Sequence, residues 1–170
     1  MLKYKTLSTP IGEMLAAELD RKLCLLDFSD CSGKKHLMAL EKYYGEKAVV
    51  DDSALLIKLE TQLAAYFNGK LKTFDLPLIF TGTNFQKSVW KKLCDIPYGQ
   101  TTNYGVIATR LGSPDASRAV GRANGSNPIS IVVPCHRIIG KNGDLVGYGG
   151  KLWRKKWLLE HEGALQPSIV

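Results

Sequence analysis

The run Ile129 to Ile139 reads Ile-Ser-Ile-Val-Val-Pro-Cys-His-Arg-Ile-Ile, and it constrains the fold more than any other stretch of the chain. Its apolar residues demand burial on both sides of a central proline, which itself cannot donate to a sheet ladder. The reading is a buried strand over Ile129 to Val133, ended by Pro134, that delivers Cys135 and His136 from its end. A reactive thiol would be mounted there, held rigidly and partly away from water. To attack, it must become a thiolate, which from a free pKa of about 8.5 needs a base, a cation or a helix N-terminus nearby. His136 and Arg137 are candidates. In an extended chain neighbouring side chains point to opposite faces, so His136 reaches Cys135 only through a turn or a bridging water. A buried structural cysteine would fit the same residues, and the rest of the chain decides between the two.

Charge supplies the second clue. Residues 1 to 80 hold 11 basic and 11 acidic side chains, whereas 81 to 170 hold 12 against 5, so the whole net charge of +7 lies in the second half. A basic half beside a neutral one points to a polyanionic partner, although a solvated surface gives the same count. Cys24, Cys31, Cys94 and Cys135 include no Cys-x-x-Cys pair, and neither a signal peptide nor a long apolar span is present. That pattern leads to the expectation of a reducing, cytoplasmic location with no membrane attachment. Cys24, Cys31 and His36 match no standard metal spacing, so no metal is expected.

At 170 residues the chain can build one sizeable core or two small ones. Apolar runs at Lys3 to Leu7, Met14 to Leu19 and Leu23 to Phe28, separated by turn residues, predict an antiparallel meander. Helices are expected over Lys35 to Tyr44 and Ala54 to Asn68, the second capped by Ser53 with Leu55, Leu56, Leu59, Leu63 and Phe67 facing the core. Lys70 to Leu78 reads as a connection. The second half opens with a helix from Asn84 to Cys94. Asn103 can cap a helix from Tyr104 to Leu111, Gly112 can end it, and Ser113-Pro114 can start another that runs to about Gly125. Helix, tight turn and helix is the pattern of a helix-turn-helix. In its second helix Ala116, Ala119 and Ala123 form a face able to approach a groove or a neighbouring helix closely, while Arg118 and Arg122 share another face. The domain boundary is placed between residues 80 and 81.

Ile96-Pro97-Tyr98-Gly99, Tyr104, Ser117-Arg118-Ala119-Val120-Gly121, Asn127-Pro128, Val133-Pro134-Cys135-His136-Arg137, Gly147-Tyr148-Gly149-Gly150 and Leu158 to Gly163 stand in an order that closely resembles the O6-alkylguanine-DNA alkyltransferases. The resemblance covers residues 84 to 163. It implies an α/β protein: a ribonuclease H-like N-terminal domain, and a mainly helical C-terminal domain whose helix-turn-helix binds the minor groove of double-stranded DNA. It also implies a monomer without cofactor that flips O6-alkylguanine, and O4-alkylthymine, out of the duplex and takes the alkyl group irreversibly in a single turnover.

Carried over by position, Cys135 is the acceptor, His136 takes its proton through a water, and Glu162 holds the imidazole. Tyr104 donates to the departing base and Asn127 braces the turn before the active-site strand. Arg118 fills the hole left by the flipped nucleotide; Thr102, Asn103, Ser117, Ala119, Gly121 and Arg122 complete the DNA-binding set. Val133, Pro134, Tyr148, Gly149 and Gly150 line the substrate pocket, with Asn124 and Ser130 at its edge. Two positions depart from the family pattern: Lys151 replaces a glycine, and Trp153 occupies a usually polar site. A thiol hydrolase would share Cys135 and His136 but leave the helix-turn-helix idle, and a non-catalytic lesion sensor would not need the cysteine.

Overall fold

The computed structural model describes residues 1 to 165, and the chain divides into two compact units, Met1–Thr81 and a second from Gly82 onward. In the first, β1 (Leu2–Thr9), β2 (Gly12–Leu19) and β3 (Lys22–Phe28) pair antiparallel in succession. Asp20 and Arg21 both take positive φ, 49° and 62°, which is the backbone twist that a tight hairpin between right-twisted strands requires. Met14 to Leu19 and Leu23 to Phe28 are buried without alternation, so both faces of β2 and β3 are covered. Leu15, Ala17, Cys24 and Leu25 meet Leu37 and Leu40 of α1 (Gly33–Tyr44) in one apolar cluster.

A fourth strand, β4 (Val49–Val50), lies parallel to β1 at the sheet edge, giving the order β3-β2-β1-β4. Too short for a periodicity signal, it is absent from the sequence reading. The helix α2 (Ala54–Phe67) is capped by Ser53, whose Oγ accepts from the Leu56 amide and donates to the buried Glu18 carboxylate at 2.7 Å. Its buried face is Leu56, Leu59, Leu63 and Tyr66; Leu55 and Phe67 lie only half-buried at its margins, because the ring of Tyr66 fills the centre. The segment after α2 does more than connect: Pro77 and Ile79 exchange backbone hydrogen bonds with Leu23 on the outer edge of β3.

In the second unit, α3 (Asn84–Leu93) starts at a capping box in which Thr83 and Gln86 satisfy each other's amides. It packs on α4 (Tyr104–Arg110) and α5 (Ser117–Gly125), and Trp90 Nε1 donates to Ala123 O at 2.8 Å. Asn103 caps α4 by accepting from the Val106 amide. The helix α5 begins later than Ser113. The Ser113 amide still donates to Ala108 O, and Ser113 O accepts from the Ala116 amide, so Pro114 and Asp115 form the middle of a turn rather than a first helical turn. The last element of the described residues is α6 (Leu152–His161). Among the described residues no helix is long and apolar enough to cross a membrane.

The expected strand over Ile129 to Val133 does not form. The segment is a chain of buried turns, with Ile131 at φ 71° and the Val133 amide bonded to Ile129 O. Burial alone selected these β-branched residues, and burial does not distinguish a strand from a packed turn. Asn127 directs the path instead: its Oδ1 accepts from the Ile129 amide at 3.0 Å, and its Nδ2 donates to Val133 O at 2.9 Å and Ile129 O at 3.3 Å. One side chain thereby supplies the backbone partners that a sheet would have given.

Candidate active site

The turns end at Pro134, and Cys135–Arg137 form a single 3-10 turn, all three buried. This replaces the extended geometry in which Cys135 and His136 would point apart. The turn is stitched to the start of α4: the Thr102 amide donates to Arg137 O at 2.9 Å, and Thr102 O accepts from the Ile139 amide at 2.8 Å. Thr102 therefore sets the distance between Cys135 and Tyr104, two residues further on. Asn124 of α5 donates to Cys135 O at 3.5 Å, and its amide is close enough to Tyr104 to lower that phenol's pKa. Cysteine, phenol and α5 meet around one buried amide.

His136 is fully buried. Its Nε2 lies 2.7 Å from Glu162 Oε1, while its Nδ1 is buried with no protein hydrogen-bond partner. Glu162 sits at the C-terminal end of α6 and is also gripped by Arg137, with Nε to Oε2 at 2.9 Å and Nη2 to Oε1 at 3.0 Å; Arg137 Nη1 continues to Ile96 O at 2.7 Å. Burial by itself raises the carboxyl pKa, but the hydrogen bonds and charges of His136 and Arg137 outweigh it and hold Glu162 well below the usual carboxylate range. Burial lowers the His136 pKa, helped by the Arg137 and Lys155 charges and opposed by Glu162, so the resting imidazole is neutral. A neutral imidazole oriented by a carboxylate, with its second nitrogen unpartnered, can accept a proton at Nδ1 directly or across one water.

The Tyr104 pKa is raised by burial and by the charge at Cys135, against the lowering influence of the Asn124 amide, so the phenol keeps its proton to donate. Its ring lies beside Gly121 of α5. Of the other cysteines, Cys24 is buried and burial pushes its thiol up to about 12, whereas Cys94 is exposed after α3, where partial desolvation of the sulfur and the charge of neighbouring Asp95 hold its thiol up. Cys24 donates to Ala17 O and His36 faces Asp27 at 3.1 Å, so these residues do not converge on a shared point. Among the described residues no group of three His, Cys, Asp or Glu side chains could hold a metal ion.

Arg118 and Arg122 are exposed on α5 and have no hydrogen bond or ion pair within the described residues. Of the small residues beside them, Ala123 is buried against Trp90, whereas Ala116, Ser117, Ala119 and Gly121 are half-buried. A groove of about 560 Å³ between α4, the start of α5 and Lys141 is lined by Asn103, Ser117 and Thr109 with the cations Arg110 and Lys141, and holds no acid. Val133 and Pro134 are buried beneath the turn; Tyr148 is half-buried, Gly149 exposed and Gly150 buried, and the Lys151 amide donates to Tyr148 O at 3.0 Å. Lys151 itself sits at φ 77° and ψ 143°, a conformation that belongs to glycine. Asn124 and Ser130 are both buried.

Two contributors were missed from the sequence. Arg137 entered only as a cation near the thiol, not as the clamp on Glu162. Lys155, inside a basic run, reads as solvated but is fully buried. Its signal was available: Lys155, Leu158, Leu159 and Glu162 fall on one helical face.

Family models match both units: the 6-O-methylguanine DNA methyltransferase ribonuclease-like domain over residues 2–80 and its DNA-binding domain over 84–164. The chain is 46% identical over 159 residues to a methylated-DNA–protein-cysteine methyltransferase of Methanosarcina barkeri, covering 94% of this chain and 96% of the relative. A Mycobacterium tuberculosis protein of the same description is 44% identical over 170 residues, covering 99% and 96%. The crystal structure of Mycobacterium tuberculosis OGT in complex with DNA superposes with a TM-score of 0.83 at 43% identity, over 95% of this chain and 93% of that one.

Proposed function

The chain belongs to the 6-O-methylguanine DNA methyltransferase family, and from that premise we propose that Cys135 Sγ is the atom that receives the alkyl group. The activity is repair of alkylated DNA: an alkyl group leaves O6 of guanine and ends on a cysteine of the protein. The observation that carries the assignment to Cys135 is the buried line from the Cys135 turn through His136 to Glu162, with His136 Nδ1 left unpartnered.

The step balances as follows. The Cys135 proton passes to His136 Nδ1, and Glu162 stabilises the imidazolium that results. The thiolate forms a sulfur–carbon bond to the alkyl group as the carbon–O6 bond breaks, and the electron pair stays on the guanine. Tyr104 donates to that developing anion, and the proton held by His136 restores the phenol. A thioether forms on Cys135, and with no step that cleaves it each molecule reacts once.

Cys135 is only 4% exposed, so a guanine stacked in a duplex cannot present its O6 substituent to the sulfur in line. The nucleotide has to leave the stack, at a cost of a few kcal/mol. Arg118, exposed on α5 without an internal partner, takes the vacated place, and Arg110, Arg122 and Lys141 neutralise phosphates. Radiolabel on the O6-methyl group of a duplex should move to the wild-type chain and not to Cys135→Ser, which should still bind the duplex. Label on the serine variant would overturn the assignment.

A further inference from the structure

Lys155 is fully buried, yet no carboxylate of the described residues pairs with it. Its ammonium donates to two backbone carbonyls, Ile138 O and Val146 O, the latter at 2.6 Å, and it has no ion pair among the described residues. The other buried charges of the site cancel: the Arg137 guanidinium is spent on Glu162 through two hydrogen bonds and on Ile96 O through a third. With His136 neutral, the cluster therefore holds one positive charge too many. A buried ion costs several kcal/mol unless an opposite charge or hydrogen bonds compensate it, and two neutral carbonyls do so only in part.

Cys135 begins the turn that Lys155 grips by its far end. Ile138, whose carbonyl Lys155 holds, closes the same turn, with its amide directed to Cys135 O. We propose that Lys155 is the counter-ion of the Cys135 thiolate, so that the site is one anion short until the thiol gives up its proton. The inference rests on Cys135 being the acceptor. Lys155 acts through the sulfur and is a positioning residue for charge. Burial lowers its own pKa to about 8 and the charge at Cys135 raises it, which is the coupling the geometry calls for. The titratable groups packed around the pair are His136 and Arg137 of the turn, Tyr104 of α4 and Glu162 at the end of α6.

The alternative role for Lys155 is a staple that joins the two ends of the 138–146 segment. The two roles differ in pH dependence. Alkylation of Cys135 by iodoacetamide, followed peptide by peptide across pH without DNA, reads the thiolate directly. In Lys155→Met the midpoint for Cys135 should rise by one unit or more, and the rate at neutral pH should fall about tenfold. Lys155→Arg should keep the midpoint within about half a unit of wild type. A folded Lys155→Met protein with the wild-type midpoint would overturn the proposal.

A second measurement needs no variant. The Lys155 side chain is titrated by NMR in wild-type protein before and after methylation of Cys135 by methyl iodide. Loss of the anion should lower the Lys155 midpoint by one unit or more, and an unchanged midpoint would overturn the proposal. Both measurements omit DNA, so a failure of alkyl transfer from guanine would count against the functional reading while leaving this result to stand or fall by itself.

Discussion

Replacing Glu162 by glutamine removes one negative charge from the centre of the site while keeping its shape. The carboxylate side chain is fully buried and accepts from His136 at 2.7 Å and from Arg137 at 2.9 and 3.0 Å. Glutamine retains one acceptor oxygen, but its NH₂ must then face either the guanidinium or the imidazole, donor against donor. Breaking a buried ion pair on one side costs about 3–5 kcal/mol, consistent with about 1–3 kcal/mol for each buried donor left unmet. Urea unfolding should show a loss of that size, and adding Arg137→Met should recover part of it, because the orphaned cation is then gone. The pH dependence carries a sign. Glu162 titrates below its unfolded value of about 4.3, so its contribution is complete above that pH and lost below it. His136, depressed by burial and partly held up by Glu162, adds a loss below about pH 6.5 that is the larger in Glu162→Gln. The carboxylate loss below about pH 4.3 should appear in wild type alone, and the imidazole loss should be greater in the variant. Single-turnover transfer should fall by ~100-fold or more as the imidazole loses its orientation. A cost under about 1 kcal/mol together with an unchanged rate would refute the network as described.

Tyr104→Phe keeps the ring beside Gly121 but deletes the hydroxyl, so the single-turnover rate should fall with DNA affinity nearly unchanged; an equal rate would reassign the proton donor. Arg118→Ala should slow transfer from duplex O6-methylguanine even at saturating DNA, yet leave reaction with the free modified base near wild type. Full recovery of the rate at saturation would make Arg118 a phosphate contact only. Lys151→Gly relieves a backbone at φ 77° and should stabilise the protein by about 1 kcal/mol in urea unfolding, strain relief of about 1–3 kcal/mol being offset by the entropy of glycine. Destabilisation would mean that the lysine side chain earns its place by contacts.

The parts of the fold that were legible in the sequence are those with local causes. The β1 to β3 meander follows from apolar runs broken by turn residues, and α4 from Asn103, whose side chain caps it as its position suggests. The turn at Ile129 to Val133 was misread because its residues report burial only, while its path is dictated by Asn127, a polar side chain bonding backbone up to six residues away. The late start of α5 has a similar origin: Pro114 fits a first helical turn and a β-turn equally well, and the Ser113 amide bound to Ala108 O selects the turn. In the site, the cysteine, histidine and glutamate announced themselves through a motif. Arg137 and Lys155 did not, since long basic side chains are usually solvated and only their packing on Glu162, Ile138 and Val146 turns them inward.

The most direct test of the central claim is intact mass and peptide mapping after incubation with excess duplex containing O6-methylguanine. One methyl group should be gained per chain, on the peptide that carries Cys135, with Cys24, Cys31 and Cys94 unmodified and no further reaction on adding fresh duplex. A methyl group on any other residue, or demethylation of several duplexes by one chain, would contradict the account.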